Sequence, residues 1–549
     1  MQDRSRTLPP SAGPWALLAL LAVLVFVAFV RLRVADVPLE RDEGEYGYAG
    51  QLILEGVPPY ALAYNMKFPG TYFAYALILA LFGHTPWGIH VGLMLVNLAT
   101  IVLVFVVGRR LLGAYAGAVA AASFGILSLD RWIYGVFAHA THFVVLAALA
   151  GLWLLLRAVD DERRVLFFWS GMLLGLSVLM KQHAVFFLPF AAAFVVWSDS
   201  RPGDGSVTAL AKKLGAIALG VVLPLAVIAL TLAAQGVWSR FWFWTIRYGS
   251  AYVSEVPLSE AFPSLAQGFN AVTPVNLAFW ILGGLGLAAL WIARWEPRAR
   301  VFVTGLLVAS FLAICPGFYF RQHYFILALP AVALLCGVAV GTARELLARA
   351  LSPAVSGALA LILIAAPIGL YVTTERAYLF SMSPRDLSRS VYEANPFIEA
   401  VAIGKYIRER TDANDRIAVV GSEPEIYFYA NRRAATGYIY TYALMEAQPF
   451  AKSMQAEMIR EIEAAHPRYL VFVWIDASWL AAPDSDQGIV HWARDYVHAC
   501  YDTVGVADII SSDETRMVWD EDAAGYEATS SNLVYTFRRK SDAPCTVNR

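Results

Sequence analysis

Long apolar runs broken by short polar segments fill the first two-thirds of the chain. They cover approximately 15–33, 87–107, 112–128, 138–156, 164–180, 183–198, 213–235, 276–293, 300–315, 323–341 and 354–373. A bilayer core asks for about 20 apolar residues per helix and tolerates shorter ones inside a bundle. The pattern therefore predicts eleven transmembrane helices. A further run, 71–83, is short for a crossing and is read as interfacial or re-entrant. Beyond about residue 380 the pattern changes. An amphipathic helix is expected over 395–411, buried strands over 416–421 and 468–475, helices over 452–465 and 489–500, and a helix or strand over 425–429. Segments 515–519 and 532–538 look like a closing strand pair. Helices alternating with short apolar strands predict a small α/β domain. The expected division is a membrane domain over 1–379 and an α/β domain over 380–549.

Composition sharpens the class. Of 549 residues, 58% are hydrophobic and 15% charged, and the mean hydropathy is +0.55, which excludes an ordinary soluble protein. A net charge of -1 with no Lys/Arg-dense tract gives no argument for nucleic acid. Four cysteines are too scattered for a metal or disulfide scaffold. Cys315 and Cys336 read as small core residues, and Cys500 with Cys545 as one disulfide if the tail is extracytoplasmic. Arg4 and Arg6 precede the first apolar run, which lacks a cleavage site and reads as a retained helix.

Charge also orients the chain. With 71–83 not crossing, one side receives Arg109, Arg110, Arg157, Arg163, Arg164, Arg201, Lys212, Lys213, Arg294, Arg298, Arg300, Arg344 and Arg349. The positive-inside rule makes that side cytoplasmic. The other side holds isolated basic residues, among them Lys67, Arg131, Lys181, Arg240, Arg247 and Arg321, and it also receives the tail. Arg31 and Arg33, at the outer end of the first helix, run against the rule and are expected to snorkel or to face a site. Outer loops 35–86 and 236–275 are long and aromatic, which suits the headgroup layer.

Just past the first apolar run comes Arg41-Asp42-Glu43-Gly44-Glu45-Tyr46. Each charge in hydrocarbon costs roughly 3 kcal/mol or more, so these acids belong at the surface or in a wet cavity. Adjacent residues on a helix point about 100° apart, so Asp42 and Glu43 serve different purposes; Glu45 is read as solvated. Nucleotides lie across the membrane from this loop, so an enzyme here needs a donor delivered through the bilayer, such as a polyprenyl-phosphate-linked sugar. Transfer to a hydroxyl needs a base and cations for the departing phosphate. The tail carries neither GxxxxGK[ST] nor GxGxxG after a strand, and Gly421-Ser422-Glu423-Pro424 is only a turn after one.

The run from Glu40 to Tyr46, then Lys67-Phe68-Pro69-Gly70 and an aromatic segment ending Leu81-Phe82-Gly83, resembles the first outer loop of GT-C membrane glycosyltransferases. The resemblance is to glycosyltransferase family 39, the protein O-mannosyltransferases and aminoarabinose transferases. It extends to Val107-Gly108-Arg109-Arg110-Leu111-Leu112-Gly113, to Leu179-Met180-Lys181-Gln182-His183 and to Arg321-Gln322-His323-Tyr324 before Ala328-Leu329-Pro330-Ala331. It implies a GT-C-like bundle and inverting transfer to a lipid, glycan or protein hydroxyl on the extracytoplasmic face of the plasma membrane. In that picture Asp42 is the catalytic base, Glu43 orients the acceptor or a neighbouring cation, and Lys67 with Arg321 binds the lipid phosphate. His323, Tyr324, Lys181 and His183 are further phosphate-side candidates.

The sequence departs from the family at Met66, where some members carry a Glu beside a metal, so no metal and no other cofactor is expected. His139 and His142 read as polar packing rather than half a metal site. A second acidic position of the family has only Asp130 or these histidines to fill it. The rival readings are a transporter or flippase, which predicts internal repeats and mid-helix charges, and a non-catalytic scaffold presenting the tail.

Overall fold

Every one of the eleven apolar stretches is helical in the computed structural model, which describes residues 13–200, 206–541 and Cys545. Arg4, Arg6 and Arg201, used in the charge count, lie outside the described residues. Seven described helices are long and apolar enough to cross a bilayer, among them Pro14–Arg33, Pro86–Leu112, Val207–Ala234 and Pro353–Thr374. Leu258–Val272 and Leu277–Ile292 form a bent pair, 117° apart, that would make an eighth span. The run at 71–83 is the helix Gly70–Phe82, whose 13 residues reach about 20 Å against a core of about 30 Å. The protein is a multi-pass membrane protein.

The chain forms two compact units that interleave in sequence. The first comprises Met1–Ala35, His90–Ile228 and Val256–Met382. The second comprises Asp36–Ile89, Ala229–Glu255 and Ser383–Arg549. In place of a single cut at 380, the loop 35–86 from Asp36 onward and the loop 236–275 up to Glu255 therefore belong with the tail.

In the first unit, Gln322–Leu347 is the central span, with 89% of its apolar window buried, whereas the part of Val207–Ala234 in this unit leaves Leu219, Val222 and Val227 exposed. Such a stripe on a spanning helix is a lipid-facing surface. Helices Leu277–Ile292 and Leu329–Leu347 touch at Gly286, where a Cβ would lie 1.9 Å from the Leu335 carbonyl oxygen. Arg31 and Arg33 neither snorkel nor face a site. Arg31 is buried and donates to the carbonyls of Ser128 (2.7 Å) and Gly135 (2.9 Å); Arg33 donates to those of Leu379 (3.0 Å), Met382 and Tyr378. Both spend their charge on backbone acceptors left open at loop turns.

In the second unit the tail forms one six-stranded sheet in the order β2-β1-β3-β6-β4-β5. The strands are β1 (Arg416–Val420), β2 (Arg433–Ala434), β3 (Tyr469–Trp474), β4 (Tyr501–Ile509), β5 (Thr515–Trp519) and β6 (Leu533–Arg539). β1 runs parallel to β2 and β3, and the remaining pairs are antiparallel. Segment 425–429 is the helix Glu425–Ala430. The expected β5–β6 pair does not form, because β4 lies between its members. Asp502, Gly505 and Asp508 interrupt the apolar pattern of β4 and hid it. Buried Asp508 accepts from Tyr526, from the Thr529 amide and hydroxyl, and from the Ser530 amide, which fastens the following loop to the sheet. Cys500 and Cys545 are joined by a disulfide with a Cα–Cα distance of 5.8 Å.

Candidate active site

The acidic stretch begins a helix because its first residues satisfy the helix's own open amides. Glu40 accepts from the Glu43 amide (2.9 Å) while Glu43 accepts from the Glu40 amide (3.2 Å), a reciprocal capping box for the helix Arg41–Leu54. Carboxylates in this first turn also oppose the positive helix end. Glu43 is fully buried and its carboxylate serves this cap. Burial, with Asp42 and Glu43 adding to it, pushes the Glu40 carboxyl well above the usual range.

Asp42, Glu45 and Tyr46, spaced three and four apart, share one helix face. Lys67 completes the group. Its ammonium lies 2.7 Å from Asp42 Oδ1 and 2.6 Å from Glu45 Oε2, with the Tyr46 ring at 4.6 Å and the Tyr440 ring at 5.4 Å. Burial alone would lower this ammonium, but Asp42 and Glu45 outweigh it and hold Lys67 well above its ordinary value. The Asp42 and Lys67 side chains keep 19% and 18% exposure, whereas Glu45 has none. Glu45 is thus not solvated: Lys67, Asn65 (2.9 Å) and Tyr72 (2.5 Å) all donate to it. Burial raises its carboxyl and Lys67 pulls it back.

The tail reaches this group through Tyr440, whose hydroxyl donates to Asp42 Oδ1 at 2.8 Å. Neighbouring Arg41 is tied to the tail as well. It donates to Glu423 (2.6 Å), to the Ser422 carbonyl (2.5 Å) and to Asn395 (3.0 Å), so the turn after β1 anchors the residue next to Asp42. Gly44 permits that approach, since a Cβ there would lie 2.5 Å from the Glu425 amide nitrogen. Gly44→Ala is therefore expected to lower the melting temperature by several degrees and to weaken protection of the Arg41–Leu54 amides, measured by thermal scanning and hydrogen exchange. The helix backbone has no room to yield against Glu425.

The other candidates lie in the first unit. Lys181 stands 3.4 Å from His323 Nε2 and over the Tyr324 ring at 4.1 Å. His183 packs against Tyr324 at 4.8 Å and its Nδ1 lies 2.8 Å from the Ala313 carbonyl oxygen. His139 stacks on His323 at 4.2 Å, so the histidine pair read as packing includes a ring-stacked member. Arg321 begins the turn Gln322–Ala328 with its guanidinium over Tyr319 at 5.4 Å. Lys181, His183, His323 and Tyr324 thus form one cluster, joined by His139. Asp130 is buried, accepts from the Trp132 amide (2.9 Å) and from Asn276, and is raised to about 7 by burial.

Reasoning from sequence missed Glu45 and Tyr440 in this arrangement. The three-residue spacing from Asp42 was the available signal for Glu45. Nothing local signals Tyr440, which lies 398 residues from its partner.

A family model described as dolichyl-phosphate-mannose-protein mannosyltransferase matches residues 66–228. No curated protein matches by sequence. Among solved structures, ArnT from Cupriavidus metallidurans in the apo state is similar at 16% identity and a TM-score of 0.58, over 95% of this chain and 97% of that one. The same protein bound to undecaprenyl phosphate gives 15% and 0.57, over 93% and 99%. The archaeal oligosaccharyltransferase AglB from Archaeoglobus fulgidus, in complex with an inhibitory peptide and a dolichol-phosphate, gives 15% and 0.55, over 92% and 74%. The chain thus shares the GT-C-like fold of these structures, and its residues 66–228 are similar to the mannosyltransferase family model.

Proposed function

We propose that the protein transfers a sugar from a polyprenyl-phosphate carrier to a lipid, glycan or protein hydroxyl, with inversion, on the extracytoplasmic face of the plasma membrane. In this orientation the N-terminus is cytoplasmic and the tail extracytoplasmic, as the loop charges favour. The observation that carries the reading is the Lys67 ammonium held between Asp42 and Glu45, which puts a base and a phosphate-binding cation in contact. ArnT, a similar fold, was solved with undecaprenyl phosphate, and that ligand is of the proposed donor's chemistry.

In the proposed step Asp42 takes the proton of the acceptor hydroxyl as its oxygen bonds to the anomeric carbon. The bond from that carbon to the phosphate oxygen breaks, and polyprenyl phosphate leaves with the electron pair. Lys67 neutralises the leaving phosphate. Arg321, whose fork matches two phosphate oxygens, and the cluster of Lys181, His183, His323 and Tyr324 are the phosphate-side residues that the resemblance implies. Glu43 holds the helix start that aims Asp42, and Glu45 holds Lys67. Incubating the protein in nanodiscs with labelled polyprenyl-phosphate sugars and mixed acceptors tests the reading: a labelled product with release of polyprenyl phosphate is expected, and its absence with every donor sugar would refute it.

Tyr440→Phe removes one hydrogen bond to a charged group, which is worth about 1.5–3 kcal/mol. The variant is expected to transfer sugar at least about tenfold more slowly and to melt no more than a few degrees lower. A tail that served only as a cover would leave the rate untouched.

A further inference from the structure

Glu425 is fully buried, and neither of its carboxyl oxygens has a hydrogen-bond partner beyond its own amide among the described residues. It opens the helix Glu425–Ala430 in the turn after β1, where that turn meets the helix carrying Asp42. The contact is close: a Cβ on Gly44 would lie 2.6 Å from the Glu425 Cβ. Other fully buried acids of this region are served. Glu423 takes Arg41 (2.6 Å) and the Ser478 hydroxyl (2.6 Å), Glu43 takes the Glu40 amide, and Glu45 takes Lys67.

The groups that face Glu425 come from several elements. Its own turn brings the Glu423 carboxylate, already engaged with Arg41; the facing helix start brings Glu40 and Arg41. Its own helix brings Tyr429, whose hydroxyl oxygen accepts from the Leu39 amide (2.9 Å). Helix Phe397–Glu409 packs through Gly404 on Tyr429, and its Glu399 pairs with Arg389 (2.5 Å) instead. Burial, then Glu423, push the Glu425 carboxyl well above its usual range; Arg41 opposes them and Glu40 adds to them. A carboxylate without a partner is far costlier to bury than a neutral acid, so the closed contact holds Glu425 protonated.

We propose that the contact between the turn after β1 and the helix Arg41–Leu54 is a proton-operated latch, closed while Glu425 is protonated and released when Glu425 is exposed and ionised. Release frees Arg41 from Glu423 and from the Ser422 carbonyl, so the anchor next to Asp42 is lost with it. The latch is independent of the role given to Asp42. An exposed Glu425 ionises near its ordinary value of 4.5. Closure is therefore tightest below that pH. Above it the open state gives up a proton that the closed state keeps, and opening grows by up to about tenfold per pH unit until the raised value of the closed state is reached.

The test follows hydrogen exchange of segments 41–54 and 421–430 in the full chain in nanodiscs, from about pH 5 to about pH 8, with rates corrected for the intrinsic pH dependence of amide exchange. Wild type is expected to open more as the pH rises. Glu425→Gln keeps the shape and cannot ionise, so the ratio of wild-type to variant opening is expected to grow by at least about tenfold across that range. Glu40 is also raised and stays in both proteins, so the ratio, and not the slope of either protein, reports on Glu425. Glu425→Leu, close in volume and without a polar group, is expected to give the same growth and serves if the Gln variant does not fold. A ratio that stays constant with pH, or wild-type opening that does not rise, overturns the latch. So does failure of both variants to fold, since a neutral side chain is expected to suit this site at least as well as the acid.

Discussion

Lys67→Met is expected to lower both stability and activity, and a second substitution separates the two losses. Without the ammonium, Asp42 and the fully buried Glu45 face each other with their shared cation gone. Breaking a buried ion pair from one side costs about 3–5 kcal/mol, so the melting temperature falls by several degrees. Loss of a cation at the leaving phosphate, by analogy with loss of one oxyanion donor, slows transfer by roughly 10²–10³-fold. Adding Glu45→Gln removes the stranded charge while keeping an acceptor for Tyr72 and Asn65. The double variant is therefore expected to regain most of the melting temperature and none of the rate. Recovery of both would make Lys67 a structural residue only.

Asp42→Asn is expected to affect the rate alone, slowing transfer by about 10²–10⁴-fold, the range for a lost general base, with little change in stability. Glu45 still holds Lys67, at 2.6 Å, and an amide oxygen still accepts from Tyr440. The two variants thus assign rate to Asp42 and both rate and stability to Lys67.

Much of this architecture is readable from local pattern. Apolar runs of helical length mark the spans, since lipid leaves the backbone no other way to satisfy itself. In the tail, β1 after Arg416 and all of β3 are apolar runs, whereas β4 carries Asp502 and Asp508 and escapes notice. The capping box of Glu40 and Glu43 and the face shared by Asp42 and Glu45 are likewise written in spacings of three. What local pattern does not carry is tertiary. Glu45 looks solvated until Lys67, Asn65 and Tyr72 are seen to surround it. Tyr440 and Glu423 depend on contacts hundreds of residues apart. Arg31 and Arg33 misled for a related reason, because the carbonyls they satisfy come from distant turns.

The central claim is that Asp42 acts as the base in transfer from a polyprenyl-phosphate donor. Its most direct test is single-turnover transfer of labelled sugar by Asp42→Asn protein in nanodiscs, with donor binding measured on the same sample. The account predicts donor binding close to wild type and transfer slower by about 10²–10⁴-fold. An Asn variant that binds the donor and transfers the sugar at the wild-type rate would contradict it.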